Sequence, residues 1–305
     1  MQNVIAILVA LLGSVVMAIG TQMQSSGVQE SGRAQAAVDQ GGFTFGQLLR
    51  LLGSKRWVFG TLLLGASILL QLSALGLAPL MVVQPVGVLG LGVTTALNAR
   101  IHHLHLQRQL IGGVVMCVLG IALFLTLAAL VAVDQPVSDT RLLIVCGTFL
   151  AVLCAVLGLL RVLNRRAGAL GYIIGTGILY GFVSTFAKIL IARWQGGTLS
   201  WISLLPAVLL VTAAVLGIWF VQDAHTSGPP DLVMAGLTVI DPIVGVLIGM
   251  IVLGEAAQVQ VWMLPLFLVS GLLAVLGVVQ ISRHHPQNRR HATPQRGDTR
   301  DTPSE

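Results

Sequence analysis

Asp241 is the residue whose type and place most invite chemistry. It lies nine residues into an apolar run, Leu232 to Gly254, and so roughly 13 Å deep if the run is a helix rising 1.5 Å per residue. A carboxylate at the centre of a membrane helix costs about 2.5 to 3.5 kcal/mol on insertion scales, so it turns toward a protein interior or a water-filled cavity. That makes Asp241 a candidate for proton coupling or cation binding. Pro242 follows it, removes a backbone donor and clashes with the preceding turn; exposed carbonyls beside a carboxylate form a natural ion or substrate site. The competing reading is structural: a hydrogen bond to a neighbouring helix, and a proline that sets a bend.

Asp241-Pro242 has a counterpart. Ala78 to Gly92, APLMVVQPVGVLGLG, returns 157 residues later as Ala235 to Gly249, AGLTVIDPIVGVLIG, so Gln84-Pro85 falls on Asp241-Pro242. Leu110 to Gly120 falls on Phe267 to Gly277 at the same offset. Gln84 can orient a polar ligand or join helices. Pro79, Pro85 and Pro242 are the expected helix breaks, and broken helices at matching places in two halves point to a binding site.

Tyr180 and Ser184, in the glycine-rich run GYIIGTGILYG and just beyond it, are further candidates to line a substrate or ion path. Lys188 lies about 28 Å from the start of its run and Glu255 at the end of another, near the same depth. Together they could form an outer gate; a snorkelling lysine and a solvated glutamate explain them equally well.

The elements carrying these residues are apolar runs long enough to cross a bilayer of about 30 Å: Val4 to Gly20, Trp57 to Gly76, Leu80 to Ala99, Leu110 to Val133, Leu142 to Leu160, Ala169 to Ile191, Ser200 to Val221, Leu232 to Gly254 and Val259 to Gln280. Five spans separate each repeated pair, so the second copy is inverted. The expected fold is an all-α integral membrane protein of nine transmembrane helices, arranged as two inverted four-helix repeats plus a linker helix. Residues 1–133 form the first repeat, with a cytoplasmic loop at 27–56. Residues 134–168 carry the linker, 169–281 the second repeat, and 282–305 a disordered basic tail. Phe43 to Gly53 reads as an interfacial helix.

Composition agrees. The chain is 55% apolar and 9% charged, with a mean hydropathy of +0.91, which excludes a soluble domain. Arg33, Arg50, Lys55, Arg56, Arg100, Arg108, Arg161, Arg165 and Arg166 fall on one face with the arginines of the tail, against Arg141 and Arg193 on the other. By the positive-inside rule the N-terminus is outside and the C-terminus cytoplasmic, in a multi-pass cell-membrane protein. The net charge of +6 is then orientation and lipid contact, not nucleic-acid binding. Cys117, Cys146 and Cys154 lie in apolar runs without metal or disulfide spacing. His102, His103 and His105, and His284, His285 and His291, read as solvated histidines near the membrane, with metal binding as the alternative. No metal site or cofactor is expected, and the chain carries no nucleophile elbow, phosphate loop or zinc-protease motif that would make it an enzyme.

APLMVVQPVGVLGLG, TVIDPIVGVLIGMIVLGE and GILYGFVSTFAK, in this order and topology, resemble the drug/metabolite transporter superfamily, especially its EamA-like and NIPA-like bacterial members. The resemblance covers about Val4 to Gln280. It implies a central cavity between inverted halves and transport by alternating access. The family's LGE motif falls on Leu253, Gly254 and Glu255, while Asn98 stands where Glu255 would repeat. EamA-like members usually have ten spans, whereas nine are expected here, with the weak Phe43 to Gly53 segment standing where the second would be. The function expected is secondary transport of small organic metabolites or drugs, with proton-coupled export through Asp241 as one form. The alternatives are a divalent cation transporter of the magnesium type, or a lipid-handling or partner membrane protein without solute flux. The partners expected are a small-molecule substrate and the bilayer, with a homodimer left open.

Overall fold

The computed structural model describes residues 2–33, 53–89, 108–163, 168–227 and 230–283. These residues form nine α-helices and no strand: α1 (Gln2–Arg33), α2 (Lys55–Leu77), α3 (Leu80–Leu89), α4 (Arg108–Val131), α5 (Asp139–Leu163), α6 (Gly168–Gln195), α7 (Leu204–Ser227), α8 (Pro230–Ile251) and α9 (Leu264–Arg283). One-turn 3-10 helices, Trp201–Ser203 and Val261–Met263, lead into α7 and α9.

Seven of the nine are long and apolar enough to cross a membrane. The described residues are all-helical, and the seven long apolar helices make the chain a multi-pass membrane protein. Nine spans were expected; the apolar stretches of α3 and α8 are shorter, Leu80–Leu89 and Gly236–Ile251, so these two do not qualify by length over the described residues. α1 also departs from expectation. Its apolar part ends at Gln24, but the helix runs on to Arg33. The expected interfacial helix at 43–53 lies, but for Gly53, outside the described residues, as do Asn98, the histidines at 102–105 and 284–291, and the tail from 284 onward.

Leucine, isoleucine and valine are exposed around the bundle, as at Leu62, Leu130 and Val211. Lipid tails are as apolar as leucine, so burial alone does not hold such helices together; close backbone packing at small residues does. α1 packs along α2, α4 along α9, and α6 against both α7 and α8. α6 is the most enclosed span. A Cβ on Gly120 of α4 would stand 2.4 Å from the Ala274 nitrogen of α9, and one on Gly277 would stand 2.4 Å from the Cys117 nitrogen of α4. Gly120 and Gly277 are repeat mates at the 157-residue offset, and so are Cys117 and Ala274, so one end of this contact repeats the other. α3 and α8 cross antiparallel: a Cβ on Gly245 would meet Gln84, and one on Gly249 would meet Leu80.

Gly120→Ala should lower the thermal unfolding midpoint of the purified protein, at a cost of about 1–3 kcal/mol from overpacking. Gly158→Ala, where an added methyl meets nothing within 4 Å, should leave it unchanged or raise it by up to about 1 kcal/mol through helix propensity. Equal midpoints would disprove tight packing of α4 on α9.

Candidate functional site

The chain turns sharply where α2 gives way to α3. Ala78 is extended, at φ −147° and ψ 161°, and Pro79 carries no N–H and disfavours helix in the residue before it. Such a break leaves carbonyls without partners at the end of one helix and N–H groups without partners at the start of the next. Two buried charges meet them. Lys188 Nζ, on α6, donates to the carbonyls of Leu75 at 2.8 Å and Ala78 at 3.0 Å, and to Asp134 Oδ2 at 2.9 Å, which uses all three of its protons. Glu255 accepts from the α3 nitrogens, Oε1 from Leu80 at 2.7 Å and Oε2 from Met81 at 2.8 Å. The cation thus sits at the negative end of α2 and the anion at the positive end of α3, as helix dipoles favour.

Glu255 is placed by its local chain. Gly254 adopts φ 74°, a left-handed conformation open to glycine, and this turn brings the Glu255 nitrogen back to the Gly249 carbonyl at 3.0 Å. Gly249 must lack a side chain, because a Cβ there would lie 2.6 Å from Glu255 Oε2. The Val133 nitrogen donates to the Glu255 carbonyl at 3.1 Å. Residues 132–138, the irregular link between α4 and α5, therefore lie over the break and supply Asp134.

A second buried cation fixes the neighbouring loops. Arg193, near the end of α6, donates through Nη1 to Asp139 Oδ1 at 2.6 Å and the Val137 carbonyl at 3.5 Å. Its Nη2 reaches the Thr198 carbonyl at 2.8 Å and Ser200 Oγ at 3.2 Å, and its Nε reaches Ser203 Oγ at 3.0 Å. One guanidinium joins the ends of α5, α6 and the turn before α7. Arg141 Nη1 donates to the Leu253 carbonyl at 3.2 Å.

Lys188 and Glu255, read from sequence as a gate pair, do come to one place. Lys188 lies close enough for its charge to act on Glu255, yet its ion pair is with Asp134, and each of the two holds a different helix end. Asp134 and the Arg193–Asp139 pair were missed by sequence reasoning. One signal was present: Arg193 and Arg141 were expected on the face poor in cations, which marks them out from the orienting arginines.

Asp241 lies deeper along α8. Its nitrogen faces Gly177 of α6, where an added Cβ would come within 3.3 Å, and Tyr180 is near enough to feel its charge. The residue is partly exposed, but Oδ1 is fully covered and has no hydrogen-bond partner. Gln84 lies across α8 with its Cγ and Cδ over Gly245. Tyr180 turns its ring toward Gly217 of α7. Ser184 spends its hydroxyl on its own helix, donating to the Gly181 carbonyl at 2.9 Å. Of the three prolines, Pro79 stands at a true break, whereas Pro85 and Pro242 lie inside α3 and α8, which continue through them.

No protein-family model matches the chain. No solved structure matches it. It is 27% identical over 286 residues, 92% of this chain and 96% of the relative, to a protein of Corynebacterium glutamicum described as uncharacterized.

Lys188→Met should destabilise the protein by about 2–6 kcal/mol, because it leaves the buried carbonyls of Leu75 and Ala78 without a donor, at about 1–3 kcal/mol each. Asp134→Asn should cost about 1 kcal/mol, because Asp134 is half exposed, asparagine keeps an acceptor and the α2 carbonyls stay bonded. Thermal unfolding of both variants checks the order; a reversed order would mean that Asp134, not the helix end, holds Lys188.

Proposed function

We propose that the chain is a secondary transporter that moves small organic solutes across the cell membrane by alternating access, in the manner of the EamA-like drug/metabolite transporters it resembles. In this reading α1–α4 and α6–α9 are inverted halves joined by the linker α5, with the N-terminus outside and the C-terminus cytoplasmic. The repeat-related contacts between α4 and α9 and the antiparallel crossing of α3 on α8 support that arrangement. The substrate site lies beside this crossing, at Asp241 and Gln84, with Tyr180 on the α6 side.

One observation carries the proposal: Asp241 Oδ1 is covered and without a hydrogen-bond partner. An acceptor left in that state costs about 1–3 kcal/mol, more if charged. A proton or a cationic or hydrogen-donating ligand at that oxygen would relieve the cost, and alternate occupancy by proton and solute is the basis of coupled exchange. Ser184, bonded within its own helix, takes a packing role here.

The test is flux into proteoliposomes for amino acids, nucleosides, sugars, cationic drugs and Mg²⁺, with and without a proton gradient. Wild type should move one organic class in a gradient-dependent way, and Asp241→Asn should reduce that flux to the protein-free background while its thermal unfolding midpoint is kept or raised. Gradient-independent flux untouched by the substitution would sink the proposal. Flux of Mg²⁺ alone would replace it with a divalent cation transporter, and no flux of any solute with a lipid- or partner-handling role.

A further inference from the structure

A cavity of about 400 Å³ lies between α3, α4, α8 and α9, within the roughly 300–1,000 Å³ typical of small-molecule sites. Its back wall is formed by buried side chains such as Ile121, Val246 and Val278. Its rim is not buried: Leu247, Leu268 and Leu272, which also line it, are 48%, 64% and 53% exposed. α8 and α9 touch only sparsely here. In a helix bundle surrounded by lipid, a gap with apolar rims between two helices opens sideways onto the hydrocarbon layer.

We infer that this cavity holds the acyl chain of a bilayer phospholipid. Thr238 is the one hydroxyl-bearing side chain in a lining that is otherwise apolar. Ordered water needs two to four polar partners, and apolar cavities stay dry and take up hydrocarbon ligands. An empty space of this size would forfeit the dispersion contacts of every side chain around it. The adjoining bilayer supplies a flexible, unbranched chain at high local concentration, as apolar as the wall. Pro85 and Pro242, the repeat-related prolines, both line the cavity, so a seated chain would rest on both proline-bearing helices. Asp241 is not part of the lining, and the inference does not depend on transport.

Gly271 makes the inference testable. It lines the cavity, and a Cβ built there meets nothing within 4 Å, so Gly271→Leu fills the space without a clash at Cβ. Gly147 on α5 is equally open but lies outside the cavity, and Gly147→Leu is the control. The full chain is placed in nanodiscs of a phospholipid with a diazirine in mid acyl chain, irradiated, and its crosslinks mapped by mass spectrometry. In wild type, crosslinks should concentrate several-fold on cavity-lining residues over outward residues such as Leu62 and Val211. Gly271→Leu should cut the cavity crosslinks several-fold, and Gly147→Leu should leave them unchanged. Even labelling of cavity and outer faces in wild type overturns the inference, whatever the variants do. So do cavity labelling that survives Gly271→Leu and crosslinks showing that a second copy fills the gap.

Discussion

Two buried charges at one break in the chain hold much of this structure in register. Where α2 ends and α3 begins, backbone carbonyls and N–H groups lose their helical partners inside a protein that offers little water, and each such group left unpaired there is costly. The fold assigns Lys188 to the carbonyls and Glu255 to the N–H groups. Neither charge is there for the other. Each is set against a helix end of opposite polarity, and the break is stable because both come from elements packed around it, Lys188 from α6 and Glu255 from the turn that follows α8.

This arrangement also positions the deeper residues. Glu255 grips the first turn of α3, where Leu80 opposes Gly249; one turn further along, Gln84 opposes Gly245; and Asp241 lies one turn before Gly245 on α8. The glycines let α3 and α8 approach closely enough for the grip to set the crossing. The charged cluster and the proposed substrate site are thus two places along one helix pair, and a shift of α3 against Glu255 would be felt at Gln84.

The helix set and the carboxylate at Asp241 were legible because both are local signals: long apolar runs, and a charge inside one of them. The match of Gln84-Pro85 to Asp241-Pro242 at a 157-residue offset is a signal of the same local kind. Partners were not. Depth along a helix placed Lys188 and Glu255 at similar heights, but depth has no lateral coordinate, so it paired them directly, whereas the bonds run to Asp134 and to backbone groups that no residue type announces. Proline reads as a break in sequence, and only Pro79, which stands between the helices, makes one. Pro85 and Pro242 are absorbed by helices that neighbouring spans hold in place. Length misled as well, since α8 passes through the bundle with an apolar stretch shorter than the run that announced it.

The bond from Leu80 to Glu255 joins residues 175 positions apart. A ribosome delivers a membrane chain from its N-terminus, so α2 and α3 exist long before the carboxylate that will cap α3 has been made. During synthesis the first turn of α3 must borrow its partners, from water, lipid headgroups or an insertase, until the turn after α8 arrives. A chain cut short before residue 255 would hold most of its helices and still lack the anion that caps α3.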